Sequence, residues 1–205
     1  MLVLCLLTLA ITLTIHARWL YVYDLNHSDV LDYVDLSPAT ILKNYDQLLD
    51  YFNYPWIKYL KMSDFPTSNS GAFHMFQVKI LFQVNYVVFI MSAIYSFFYI
   101  WYLKKTSQLW TLVTPLNYLL ILLGIALFFV AVGFNEVFIL FHKVLFFGND
   151  DWIFNPLKDP VILALPQEYF FHCFILFFSL FIIFILLFVF IGKVEFKRLS
   201  KKYNG

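Results

Sequence analysis

The sequence predicts an all-α membrane protein with four transmembrane helices, an extracellular cap and both termini in the cytoplasm. Three observations carry that prediction. The 205 residues are 62% hydrophobic and 22% aromatic but only 13% charged, far from the averages of soluble domains. Four nearly uncharged windows reach the roughly 20 residues that a bilayer core demands. The few charges are divided unevenly between the connectors, and that division sets the orientation.

The first span is read at about 1–23: Met1–Ala17 is uncharged, and Trp19–Tyr23 extends it beyond Arg18. A cleaved signal peptide has a similar apolar core, but this segment lacks a basic start and Ile15-His16-Ala17 is a poor small-x-small site. "LVLC" at 2–5 imitates a lipidation box, with Leu4 too bulky for it, so a retained span is expected. The second span is read at 80–103, the third at 111–134 and the fourth at 169–192. Between the second and third lies a short turn, 104–110, with Lys104 and Lys105. The tail, 193–205, holds Lys193, Lys197, Arg198, Lys201 and Lys202 against Glu195. The remaining connector residues, 18–79 and 136–168, carry seven basic and twelve acidic groups. By the positive-inside rule the lysine turn and the tail face the cytoplasm, and 24–79 and 135–168 form an outward cap. The whole is one membrane domain, 1–205, without internal repeats. No basic stripe suggests nucleic acid, and Cys5 and Cys173 both fall in apolar segments, which argues against a disulfide framework or a zinc site.

Within the cap, Ser37-Pro38 reads as an N-cap followed by proline at the first helical position. Ile41, Leu42, Tyr45, Leu48, Leu49 and Phe52 then keep a helical period, with Lys43, Asn44, Asp46 and Asp50 opposite. Residues 64–71, "DFPTSNSG", are a loop by composition. Ser70 is the expected N-cap of the second-span helix, whose first turn holds His74 near the positive end of the helix dipole. The third apolar window is longer than a span requires, so its helix is expected to continue outward through "FNEVFILFHKVLFF" and to stop at Gly148.

Four of the five histidines, His16, His74, His142 and His172, map to the outer edge of a span. The bland reading is an interfacial belt for His16, a pair with Glu168 four residues earlier for His172, and a solvated turn for His27. His142 shares a helical face with Phe138, Ile139, Leu145 and Phe146, and His74 is flanked by Phe73, Met75 and Phe76. Polar groups in such surroundings are expensive and tend to be functional, although a buried histidine bonded to a backbone carbonyl is an equal alternative. No nucleophile elbow, phosphate loop or metal box is present. A histidine site on the outer face works without ATP or acyl-CoA, so lipids or lipid-anchored proteins are the candidate substrates. Four histidines at one depth also fit a haem- or metal-binding membrane electron carrier, and a non-enzymatic scaffold is a third reading.

Two stretches, "FHKVLFFGNDDWIFNPLKDPVILALPQEYFF" at 141–171 and "SGAFHMFQVK" at 70–79, closely resemble the lipoprotein intramolecular transacylase family of bacterial membrane proteins. The order of spans, outward segments and basic tail is similar too. At Gln77 the family pattern would place an aspartate. The resemblance implies an acyltransferase of the bacterial cytoplasmic membrane, with its active site on the outer face. It would act on a diacylglyceryl-modified lipoprotein with a free α-amine on its N-terminal cysteine. The sn-2 acyl chain would move to that amine to give the lyso form, with no cofactor and no metal. The family's catalytic histidines fall on His74 and His142, and His142 is preferred as the base. Substrate contacts are expected from Phe146, Phe147, Asn149, Asp151, Trp152 and Lys79. Asn149 and Asp151 have two further roles open to them, ordering the loop or capping a turn. Lys79 has two, snorkelling to the surface or meeting a phosphate. Membrane lipids are the surrounding partners, and the chain is expected to act as a monomer.

Overall fold

In the computed structural model, which describes residues 1–203, the regular structure is entirely helical. The helices are α1 Leu2–Ile15, α2 Arg18–His27, α3 Val30–Tyr33, α4 Pro38–Asn53, α5 Asn69–Lys105, α6 Val113–Val132, α7 Phe134–Leu145, α8 Val161–Ala164 and α9 Gln167–Tyr203. A 3₁₀ turn, Leu109–Leu112, leads into α6. Three stretches are long and apolar enough to cross a membrane, Asn69–Lys105, Leu109–Val132 and Gln167–Lys202, and the count becomes four if α1 and α2 are one bent span. In each, under a fifth of the most apolar window is buried by protein. Large side chains such as Ile90, Met91, Ile94, Phe97, Phe128 and Phe190 stand more than half exposed. A soluble fold rarely tolerates so extensive an apolar exterior, and lipid is the solvent that suits it.

The expected first span is not one continuous helix. The chain leaves helical backbone at Ala17 (φ −78°, ψ 56°), and the 14 residues of α1 reach only about 21 Å, short of a core of about 30 Å. Thr8, Thr12 and Thr14 turn their hydroxyls back onto the carbonyls of Leu4, Thr8 and Ala10, a habit that bends helices. Beyond the break, both nitrogens of one guanidinium edge of Arg18 donate to the Asp46 carboxylate at 2.6 and 2.9 Å. The third helix is likewise interrupted. Gly133 (φ −138°, ψ 55°) separates α6 from α7, where one outward-running helix was expected, and α7 ends at Leu145 with Phe146 as its cap, short of the stop expected at Gly148 (φ 91°). The basic tail is helical as far as Tyr203, and its last two residues, Asn204 and Gly205, lie outside the described residues.

The chain forms two compact units. The first comprises Met1–Ile15, Tyr86–Val132 and the segment from Phe174 onward, with a dry core that includes Leu6, Ala10, Leu116, Phe181, Ile185 and Val189. Helices approach closely at Gly192, where an added Cβ would lie 2.7 Å from Val113 and 3.0 Å from the Leu109 carbonyl. The second comprises His16–Asn85 and Gly133–Cys173. In it, α4 has the expected cap, Ser37 Oγ accepting from Thr40 N at 3.2 Å. It buries Ile41, Tyr45, Leu48, Tyr51 and Phe52. Tyr45 stacks on Tyr21 at 3.8 Å and shares a 2.7 Å hydrogen bond with the Tyr169 hydroxyl. Asn44, expected on the polar face, is fully buried. Its amide donates to the Asp64 carboxylate and to the Thr40 carbonyl and accepts from Asp64 N, so a polar side chain is paid for in full by its partners.

Candidate active site

The site is built in the second unit, starting at the N-terminus of α5. Ser68, not Ser70, caps that helix, its Oγ accepting from Gly71 N at 3.0 Å. Ser68 in turn is held by Asp159, whose carboxylate accepts from Ser68 N at 2.7 Å and from Ser68 Oγ at 2.8 Å. A Cβ at Gly71 would stand 2.3 Å from Asp159 Oδ1, so glycine is what lets the carboxylate come so close. The loop after α7 is thereby pinned to the helix that carries His74.

His74 follows within two turns of the cap and is 6% exposed. Burial, and then the neighbouring charge of His142, push its pKa down to about 4. Its ring meets Phe146 edge-on at 4.6 Å and Phe154 at 5.5 Å, and its Nδ1 is buried without a hydrogen-bond partner.

His142 comes from the last turn of α7. Its Nδ1 lies 2.8 Å from the Phe138 carbonyl. A carbonyl only accepts, so the neutral ring carries its proton on Nδ1 and presents a lone pair on Nε2. Burial lowers its pKa, and the bond to Phe138 partly opposes that. Phe138 flanks the ring at 4.3 Å and Trp152 stacks on it at 4.8 Å and 29°. The two imidazoles are neighbours, with centroids 6.0 Å apart and planes 36° from parallel. Two neutral bases thus share one aromatic box.

Of the other residues singled out from the sequence, Phe146 and Trp152 join the histidines. Phe147 does not: it is 92% exposed, because its neighbour Phe146 takes the inward position. Asn149 Oδ1 accepts from Asp151 N at 3.3 Å, the turn-capping alternative. Lys79 neither snorkels nor lies open. It is 7% exposed, its ammonium donates to the Tyr54 carbonyl at 3.0 Å and to the Ile57 carbonyl, and it stands 4.4 Å over the Tyr51 ring. His172 pairs with Asp24 at 2.7 Å rather than with Glu168. Among the described residues no three His, Cys, Asp or Glu side chains gather as a metal-ligand set. Sequence reasoning missed Ser68 and Asp159, which lie 91 positions apart and leave no local signal of their pairing.

Comparison with known proteins bears on the family and the fold. No curated protein sequence matches the chain. The membrane-integral lipoprotein intramolecular transacylase Lit from Bacillus cereus matches in structure with a TM-score of 0.84 and 27% identity, over 98% of this chain and 91% of the other. A histidine-to-arginine variant of that protein matches at 0.82 with 25% identity, over 98% and 89% of the two chains. The model of the family described as lipoprotein intramolecular transacylase Lit matches residues 1–170. With most of the chain matched in sequence and nearly all of it in fold, the protein belongs to the lipoprotein intramolecular transacylase family.

Proposed function

We propose that this protein moves the sn-2 acyl chain of a diacylglyceryl-modified lipoprotein to the α-amine of its own N-terminal cysteine. The observation that carries the reading is the pair of neutral imidazoles, His74 and His142, side by side in an aromatic box. A free α-amine has a pKa of about 7.7–8.0 and is mostly protonated at neutral pH. The neutral fraction of the amine attacks the ester carbonyl, and His142 is the base whose Nε2 takes the proton that the attacking nitrogen sheds. The Phe138 carbonyl on Nδ1 stabilises the imidazolium that forms. His74, neutral and beside it, relays that proton: it takes the proton of the His142 imidazolium on one ring nitrogen as it gives the hydrogen of the other to the departing glyceryl oxygen. The C–N amide bond forms, the C–O ester bond breaks, and the sn-2 hydroxyl is the leaving group within the same molecule. No acyl-enzyme is required. Folding amine and ester against each other supplies up to about 7–11 kcal/mol of the barrier.

The reading includes a multi-pass position in the bacterial cytoplasmic membrane, the site on the outer face, both termini inside, and a monomer as the working unit. Phe146 and Trp152 would hold the acyl region. Asn149, Asp151 and Lys79 act through the loops they order, and the exposed Phe147 would meet lipid.

Substrate and product are isomers of equal mass, so the test is fragmentation. A synthetic diacylglyceryl lipopeptide is incubated with the purified protein and its N-terminus sequenced by tandem mass spectrometry. The acyl chain is expected on the N-terminal amine. His74→Ala and His142→Ala, each checked for fold by circular dichroism, are expected to lower the rate at least 100-fold. An acyl chain that never reaches the amine with the unmodified protein sinks the reading.

A further inference from the structure

We propose that Trp152 is a catalytic residue, the indole N–H donating a hydrogen bond to the ester carbonyl oxygen as it becomes an oxyanion. The inference rests on the acyl transfer proposed above and adds a third group to its chemistry. Trp152 Nε1 is buried and has no hydrogen-bond partner in the protein. Leaving such a donor unsatisfied is costly, and buried indoles normally find a partner. This one does not, and it belongs to the ring stacked on His142 at 4.8 Å. The unpartnered donor and the base are therefore side by side.

The chemistry has a vacancy of this kind. Once the amine nitrogen has bonded to the carbonyl carbon, the negative charge rests on the former carbonyl oxygen. The amine proton is on His142, and the proton for the glyceryl oxygen is assigned to His74. Neither histidine is then left over for the oxyanion. An indole N–H is a donor only and does not titrate, so it serves at every working pH without competing for protons. When the tetrahedral species collapses, the carbonyl re-forms, the C–O bond breaks and the indole keeps its hydrogen throughout. The same ring offers its face to the imidazolium of His142 at the moment that charge appears.

The neighbouring unpartnered atoms have other chemistry. At Gln77, one helical turn beyond His74, the buried atom without a partner is Oε1, an oxygen that only accepts. His74 Nδ1 is buried and unpartnered too, and it belongs to a group already assigned a proton transfer.

The test separates the N–H from the ring. Trp152→Phe keeps an aromatic face on His142, and replacement of Trp152 by benzothienylalanine keeps the bicyclic shape while exchanging N–H for sulfur. With the diacylglyceryl lipopeptide, both are expected to lose about 100-fold in kcat with KM within about twofold, the scale of one lost oxyanion donor. A lipopeptide with a phosphonate in place of the sn-2 ester, mimicking the tetrahedral species, is expected to move one indole N–H proton resonance downfield. That resonance is absent from Trp152→Phe. A benzothienylalanine protein with an unmodified kcat, or one changed only in KM, overturns the proposal while leaving the transacylase reading intact. Failure of the unmodified protein to transfer an acyl chain overturns the reading itself, and this assignment with it.

Discussion

His74 and His142 reach similar neutrality by different routes, and the difference shows in their response to acid. His74 has no hydrogen bond on Nδ1, and burial takes its pKa from 6.5 to about 4. Between those values the unfolded chain binds more protons than the folded one, so stability present above pH 6.5 is lost as the pH falls toward 4. That one group contributes about 3 kcal/mol across the window. His142 pulls in the same direction, less strongly, because the Phe138 carbonyl favours its charged form. The protein in detergent is therefore expected to melt at lower temperature at pH 5 than at pH 7.5. His74→Phe, which cannot titrate, is expected to shrink that difference, and an undiminished difference would show that His74 is not its source. Both histidines were legible in the sequence, because an ionisable group among phenylalanines is conspicuous by composition. Their separation was not legible, since it is set by α5 and α7, more than sixty residues apart in the chain.

At the scale of the element, the start of α5 shows what local rules can and cannot deliver. Ser70 and Ser68 are equally good caps by residue type. Asp159, brought from a distant loop, chooses Ser68 by accepting from both its amide and its hydroxyl. Gly71→Ala would force that carboxylate away and is expected to destabilise the protein by roughly 2 kcal/mol, the scale of a charge-assisted bond. With Asp159→Ala already in place, Gly71→Ala is expected to cost almost nothing, because alanine is the better helix former. A thermal double-mutant cycle checks this; additive losses would count against the contact. The amphipathic period of α4 was readable because its apolar face is wide and its cap is local. The breaks at Ala17 and Gly133 were not, because an uncharged run looks the same whether the helix continues or turns within it. Hydropathy reports solvent, and direction is fixed by partners such as Asp46 for Arg18.

For the whole molecule, the membrane character was the most legible property, since it follows from composition and from where charge is missing. The proposed inward placement of the termini rests on the charge of the connectors and has its own test. In a background with Cys5 and Cys173 replaced by serine, a cysteine at Asp150 is expected to react with an impermeant maleimide in intact cells. A cysteine at Lys201 is expected to react only after permeabilisation; the opposite pattern reverses the orientation. The continuity of α9 from Gln167 to Tyr203 has a consequence for the bilayer itself. Exposed charges bracket its apolar run, Glu168 at one end and Lys193 at the other, and the 24 residues between them extend about 36 Å. A hydrocarbon core of about 30 Å is thinner than that, so the helix leans or the surrounding lipid thickens to meet it. The depth at which the protein floats is thus set by hydrophobic mismatch along a single unbroken helix.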